Sequence, residues 1–176
     1  MTAAPVLDPQ RTALVLVDLM ERIVALPLEP RKGIEAHATA EELASAFRSA
    51  GAPVVLVRTE RPAVAEQPPG SGLVAGLRHE GDAEVVKRTI GAFQGTDLDT
   101  RLREHGVTTL VLGGITTNLG VESTARAAAD LGYDLVFAED AMAAFTAAEH
   151  EASVRLDFPR LGTVVRAAEV RFGTGG

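Results

Sequence analysis

Thr109-Leu110-Val111-Leu112-Gly113-Gly114-Ile115-Thr116-Thr117-Asn118-Leu119-Gly120-Val121-Glu122-Ser123-Thr124-Ala125-Arg126 decides the fold. Thr109 to Leu112 is a short apolar run of the kind buried in a parallel sheet. A glycine turn follows, and the Ala-rich stretch up to Gly132 has the composition of a packed helix. Strand, tight turn and helix N-terminus in succession aim free backbone N–H groups and the positive end of the helix dipole at one point. Many such turns only connect. Those at the carboxyl ends of parallel strands are also where ligands of α/β proteins sit.

Working outward, the same grammar repeats. Ala13 to Val17 is five apolar residues in a row, a central strand buried on both faces, with Asp18 directly after it. Pro53 to Val57 is a second strand, with its proline confined to the start. Glu84 to Lys87 is a third, Asp134 to Ala138 a fifth, and Thr163 to Val170 a weaker last one. Gly33 to Ala50 reads as a helix with Ile34, Ala38, Leu43, Ala46, Phe47 and Ala50 on its apolar stripe, stopped by Gly51. Thr96 caps a helix carrying Asp97 in its first turn and Leu98 and Leu102 on one face. A last helix starts at Thr146 or Ala147 and runs through Phe158, where Pro159 ends it. Met20 to Pro30 reads as a loop able to cover a site, Arg58 to Asp82 as a long irregular segment, and Gly173 to Gly176 as a tail. The order β-α-β-β-α-β-α-β-α-β predicts a mostly parallel six-stranded sheet with helices on both faces. At 176 residues, with no repeat or linker, one domain over 1–176 is expected.

Bulk properties exclude several classes of function. The net charge of −7 argues against nucleic acid or an anionic membrane surface as partner. Absence of cysteine excludes disulfides, thiolate metal sites and thiol catalysis. No apolar run approaches the roughly 18 residues of a membrane span. Met1 to Gln10 lacks the basic start and apolar centre of a signal peptide, so a cytoplasmic location is expected. His37, His79, His105 and His150 are scattered without metal-ligand spacing, and no Gly-x-Gly-x-x-Gly follows a strand. Neither a metal nor another cofactor is expected.

The glycine-turn stretch resembles the signature of the isochorismatase-like hydrolase superfamily, which includes nicotinamidases and other cysteine hydrolases. That signature reads roughly Gly-hydrophobic-x-Thr-Asp/Asn-x-Cys-Val-x-x-Thr-Ala-Arg. Gly114, Thr117, Asn118, Val121, Thr124, Ala125 and Arg126 match it, and Gly120 stands where the cysteine belongs. Leu16-Val17-Asp18-Leu19-Met20 is similar to the family's opening strand with its aspartate. Val85-Val86-Lys87-Arg88 with Phe93-Gln94-Gly95-Thr96-Asp97-Leu98 is similar to the family's lysine element. The resemblance spans Ala13 to about Arg166 and implies a three-layer α/β/α sandwich, a small-molecule substrate and a homo-oligomer, dimeric or larger. For the last, Glu139 to Glu149, with Met142 and Phe145, offers either a contact surface or ordinary core packing. The resemblance also implies a cis peptide at Ile115–Thr116. The histidines of the nicotinamidase metal site have no counterpart in Arg58-Thr59-Glu60-Arg61-Pro62.

By pattern alone Asp18 reads as a turn cap or as a catalytic carboxylate, and Lys87 as a solvated charge beside Arg88. In the family's cysteine hydrolases the aspartate is the general base, the lysine orients it and the cysteine attacks. Gly120 cannot attack. In the isochorismatases proper a glycine can replace the cysteine; the aspartate then protonates a vinyl ether and water captures the oxocarbenium ion. For this chain the resemblance implies Asp18 as acid/base, Lys87 as its partner and Gly120 at the vacated position. It implies Ile115, Thr116, Thr117 and the backbone to Gly120 against the substrate. Phe93 reads as pocket wall or as core. Acid action needs burial to raise the Asp18 pKa against the pull of Lys87, and the sequence leaves that competition open. Two other readings stay open: an inactive binding or scaffold homologue, and an amidohydrolase using a hydroxyl of Thr116 or Thr117, although Thr117 more naturally caps its helix. Ser123 and Thr124 read as helix-packing residues, and Arg58 and Arg61 as solvated.

Overall fold

A computed structural model describes residues 4–173. The expected tail beyond 173 lies outside the described residues. Six strands form one parallel sheet: β2 (Thr12–Val17), β3 (Val54–Thr59), β4 (Ala83–Lys87), β5 (Thr109–Ile115), β6 (Asp134–Ala143) and β7 (Thr163–Val165), in the order β4-β3-β2-β5-β6-β7. A two-stranded parallel pair, β1 (Val6–Leu7) with β8 (Arg171–Phe172), was not expected.

Alternation along β2 builds both cores at once, because successive strand side chains point to opposite faces. Leu14 and Leu16 enter one apolar layer with Ala36, Ala40, Leu43 and Phe47 of α2 (Gly33–Ser49). Ala13, Val15 and Val17 enter the other, with residues of α3 (Leu98–Glu104) and α4 (Glu122–Asp130) and with Phe158. The expected three-layer sandwich is therefore present. Phe137 and Phe158 stack at 4.0 Å in the second layer, and Phe47 meets Phe172 edge-on at 4.8 Å in the first.

The chain leaves the centre at β2, reaches the edge at β4, returns to β5 beside β2 and proceeds outward to β7. Connections after β2 and β5 thus diverge, which opens a crevice at the carboxyl ends of these two strands. Gly114 permits the close approach there. Its φ is +120°, and a Cβ would lie 2.1 Å from the carbonyl oxygen of Val17 on the neighbouring strand.

Several boundaries differ from expectation. Met20 to Pro30 contains a helical turn, α1 (Glu21–Val24). The buried stripe of α2 is Ala36, His37, Ala40, Leu43, Ala44 and Phe47, whereas Ile34 is exposed. Ala38 and Ala46 are exposed as well, so the contact face is offset from the expected stripe, with Ala36, Ala40 and Ala44 turned to the sheet. β6 continues through Glu139 and Asp140, bulging against β5 beyond Leu112 before it pairs again. The last helix is broken into α5 (Ala147–Ala152), a wide turn over Ser153–Asp157, and α6 (Phe158–Leu161). Pro159 lies in the first turn of α6, where its missing N–H has no helical partner to lose, so it starts a helix rather than ending one. Thr163 to Val170 divides into β7 and a 3₁₀ turn at Ala167–Glu169. Met142 is wholly buried, leaving Phe145 as the exposed apolar residue of the Glu139 to Glu149 segment.

Candidate active site

Asp18 is the first residue beyond β2, held in the left-handed region at φ +53° while its N–H donates to the Val57 carbonyl at 2.8 Å. Aspartate is among the few non-glycine residues that tolerate this conformation, and such outliers gather at functional sites. Parallel register places Val57 beside Val17 and Lys87 beside Thr59. The rim of three adjacent strands thereby presents Asp18, Thr59 and Lys87 together. Lys87 Nζ lies 3.0 Å from Asp18 Oδ2 and donates to the carbonyls of Thr89 (3.1 Å) and Ile90 (2.9 Å), which engages all three ammonium protons. The Thr59 hydroxyl lies 2.9 Å from Asp18 Oδ1. The lysine side chain is only 3% exposed, so it is no solvated surface charge.

Burial pushes the Asp18 carboxyl above its ordinary value, against the opposing pull of the Lys87 charge and the hydrogen bonds from Lys87 and Thr59. In the competition that the sequence left open, burial thus outweighs the lysine, and the carboxyl holds its proton more tightly than an ordinary aspartate does.

Gly120 faces this group. A Cβ there would lie 3.6 Å from Asp18 Oδ2, 3.6 Å from the Ile90 carbonyl oxygen and 3.0 Å from Val17 Cγ1. Gly120 belongs to a wide helical turn over Thr117–Val121 that leads into α4. The Thr124 hydroxyl donates to the Gly120 carbonyl at 2.6 Å and accepts from the Ala92 N–H at 3.1 Å, tying the turn to the loop after β4.

Residues assigned to substrate divide. Thr116 is buried with an unpartnered hydroxyl, and Asn118 Oδ1 is likewise buried and unpaired among the described residues. Unpaired buried polar atoms call for a water or ligand partner. The Ile115–Thr116 peptide is cis, but the Ile115 side chain points into the first apolar layer and touches no hollow. Phe93 is half-buried and packs against the second apolar layer, its ring 6.0 Å from that of Tyr133.

Thr117 is not the helix cap. Its hydroxyl lies 2.8 Å from His150 Nδ1, and its residue is wholly buried. His150 Nε2 is 3.5 Å from Glu139, which Arg31 also holds at 3.3 Å. The contact with His150 and the Arg31 charge keep Glu139 below its ordinary carboxylate value. An Nε2–H facing Glu139 leaves Nδ1 to accept from Thr117. A hydroxyl with a histidine behind it has the makings of a nucleophile. Its complete enclosure keeps any substrate carbonyl away, and the set acts as a clamp on the turn. Nothing in the spacing of Thr117, Glu139 and His150 announced it. Thr59 was equally hidden, although strand register beside Lys87 is the signal that finds it.

Arg58 is held by Glu84 (2.6 Å) and Glu60 (2.8 Å) and does not reach the site. A groove of about 950 Å³ is lined by Val24, Leu26, Leu28, Ile34 and Phe145, and neither Asp18 nor Lys87 belongs to its lining. Among the described residues no acidic, histidine or cysteine cluster is placed to hold a metal ion, and no helix is long and apolar enough to cross a membrane.

With this geometry in hand, similarity to known proteins is informative. The family profile described as an isochorismatase domain matches residues 12–169. An uncharacterised isochorismatase family protein of Escherichia coli O157:H7, YecD, is 39% identical over 181 residues, covering 93% of this chain and 96% of its own. YwoC of Bacillus subtilis, also an uncharacterised isochorismatase family protein, is 40% identical over 179 residues, covering 89% and 90%. Among solved structures, an isochorismatase family protein from Burkholderia thailandensis superposes with a TM-score of 0.86 at 38% identity, over 96% of this chain and 97% of the other. An N-carbamoylsarcosine amidase from Thermoplasma acidophilum does so at 0.79 and 28%, over 91% and 98%.

Proposed function

Because the chain belongs to the isochorismatase family of hydrolases, we propose that it hydrolyses a small molecule by general acid catalysis from Asp18, without a covalent intermediate, and that the bond broken is a vinyl ether. One observation carries this reading: a carboxyl with a raised pKa faces a bare glycine where the family's thiol would stand. A carboxyl whose pKa is raised and an empty nucleophile position suit protonation followed by attack of water. They do not suit acyl transfer.

In this mechanism Asp18 gives its proton to the terminal vinyl carbon, and the electron pair left on the ether oxygen stabilises the resulting oxocarbenium ion. Water adds to the cationic carbon and returns a proton to Asp18. The hemiketal then collapses to a ketone and an alcohol. Lys87 fixes the carboxyl and favours the carboxylate left after transfer. Thr116 Oγ1 and Asn118 Oδ1 are the unpaired groups available to the water or to substrate oxygens. Isochorismate and related vinyl ethers, assayed with wild type and Asp18→Asn, test the reading: turnover by the first alone is expected, and equal turnover rejects it.

An inactive homologue that had lost the site would lack its electrostatics. Gly120→Cys separates the two, since it introduces the chain's only thiol. Lys87 favours a thiolate, so the thiol pKa is expected below the ordinary value of about 8.5. The pH dependence of iodoacetamide alkylation reads it; an ordinary value indicates a dismantled site.

A further inference from the structure

We infer that His150 is a positioning residue for the reaction: with its hydrogen on Nε2 and its Nδ1 lone pair on the Thr117 hydroxyl, it pins the turn that keeps water off Asp18; the inference rests on the proposed reading of Asp18 as the reacting group. His150 and Thr117 are both buried, so they touch no substrate and act only through the turn over Thr117–Val121.

Glu139 decides which ring nitrogen carries hydrogen. Its Oε2 lies 3.5 Å from His150 Nε2. The His150 contact and the Arg31 charge hold this carboxyl below its ordinary value, so it accepts and does not donate. Arg31 also fixes where Glu139 stands: Nη2 lies 3.3 Å from Oε2, and Nη1 donates to the Glu139 and Met142 carbonyls at 3.0 and 2.6 Å. Glu139 belongs to the stretch where β6 bulges against β5, and bulges re-aim side chains. The other ring nitrogen meets Thr117 Oγ1 at 2.8 Å, and among the described residues this hydroxyl has no second hydrogen-bond partner. Hydrogen on Nδ1 would leave a wholly buried hydroxyl proton without an acceptor; a lone pair there takes it up.

The same helical segment grips the far end of the turn. Ser153, three residues after His150 and so on the same side, donates to Glu122 Oε2 at 2.6 Å. Thr117 opens the turn and Glu122 follows it directly, so the segment that begins with α5 holds both ends, with Gly120 between them. α5 is itself braced. Its Ala147 N–H donates to Glu29 Oε2 at 2.9 Å, and Glu29 and Ala144 exchange backbone bonds of 2.9 and 2.8 Å. This support bears on the chemistry because the turn closes over the reacting carboxyl. A Cβ on Gly120 would lie 3.6 Å from Asp18 Oδ2, and the Asp18 side chain is 13% exposed. Burial is the largest influence on that carboxyl and the one that raises its pKa. Releasing one end of the turn admits water and weakens that influence.

The test follows the Asp18 carboxyl by ¹³C NMR titration in wild type, Thr117→Val, Thr117→Ser, His150→Asn and His150→Gln. Folding is checked by thermal unfolding, and turnover of isochorismate is measured alongside. Valine keeps the volume of Thr117 and removes the hydroxyl. The Asp18 midpoint should then fall toward the ordinary value of about 3.9, and kcat should drop by roughly ten- to a hundredfold with KM changed less. Lys87 and Arg22, the charges that act on Asp18, are the same in every variant, so the shift reports hydration. Thr117→Ser, which keeps the hydroxyl, should recover most of the difference. His150→Asn sets an amide oxygen near the place of Nδ1 and can accept from Thr117; His150→Gln reaches toward Glu139 instead. The asparagine variant should therefore stay closer to wild type. In ¹⁵N spectra of wild type, the His150 ring, assigned by its loss in His150→Asn, should carry hydrogen on Nε2 and none on Nδ1. These shifts without turnover of isochorismate by wild type would sink the vinyl-ether reading and leave the positioning role standing. Hydrogen on Nδ1, or a midpoint unchanged or raised in Thr117→Val, overturns the positioning role whatever the turnover.

Discussion

Asp18→Asn is expected to lower kcat on a vinyl-ether substrate by roughly 10²–10⁴-fold, the range supplied by a positioned proton donor. Asparagine keeps the size of the side chain and an oxygen for the Thr59 hydroxyl, now 2.9 Å from Asp18 Oδ1, so the surroundings remain in place. What disappears is the transferable proton. In wild type the rate should fall as pH rises through the Asp18 pKa, because only the protonated carboxyl acts as an acid. Since burial raises that pKa, the fall is displaced to higher pH than an ordinary aspartate would give. The variant's residual rate should show no such limb. A wild-type rate that instead rises through this range would assign Asp18 to base chemistry.

Lys87→Met is the second large effect, and it appears in stability. The ammonium lies 3.0 Å from Asp18 Oδ2 with its side chain 3% exposed, and its removal leaves an enclosed carboxyl without a counter-charge. Breaking a buried pair from one side costs about 3–5 kcal/mol. Loss of Lys87 also removes the strongest influence opposing burial, so the folded-state pKa of Asp18 climbs further. A carboxyl whose folded pKa exceeds its unfolded pKa binds its proton more tightly in the native state. Its contribution is fully present below the unfolded pKa and is lost as pH rises through the folded pKa. The deficit of Lys87→Met relative to wild type should therefore be greatest near neutrality and shrink on acidification, leaving the part due to the unpaired Thr89 and Ile90 carbonyls. Urea unfolding at a series of pH values measures it. A deficit independent of pH would mean that Asp18 is not the group left behind.

The fold was legible because uninterrupted apolar runs such as Ala13 to Val17 and Thr109 to Leu112 have few alternatives to a buried parallel strand, and because they alternate with helical stretches. Boundaries failed where chemistry is ambiguous. Glu139 and Asp140 look like the end of a strand, and only pairing with β5 carries β6 past them. Ile34 looks like a core residue of α2, but the alanines opposite it make the closer fit to the sheet. Asp18 and Lys87 each follow an apolar run, and topology brings such positions to one rim, but pattern alone left Lys87 a solvated charge and the family resemblance singled it out. Thr59 and His150 were passed over because each owes its place to register or to a contact across tens of residues, which residue spacing does not encode.

The most direct measurement is a ¹³C NMR titration of the Asp18 carboxyl, assigned by its loss in Asp18→Asn. A midpoint above about 3.9, the unperturbed aspartate value, is predicted, with burial outweighing Lys87. A midpoint at or below it would show the pair to be a permanent carboxylate and ammonium, with no proton for Asp18 to give.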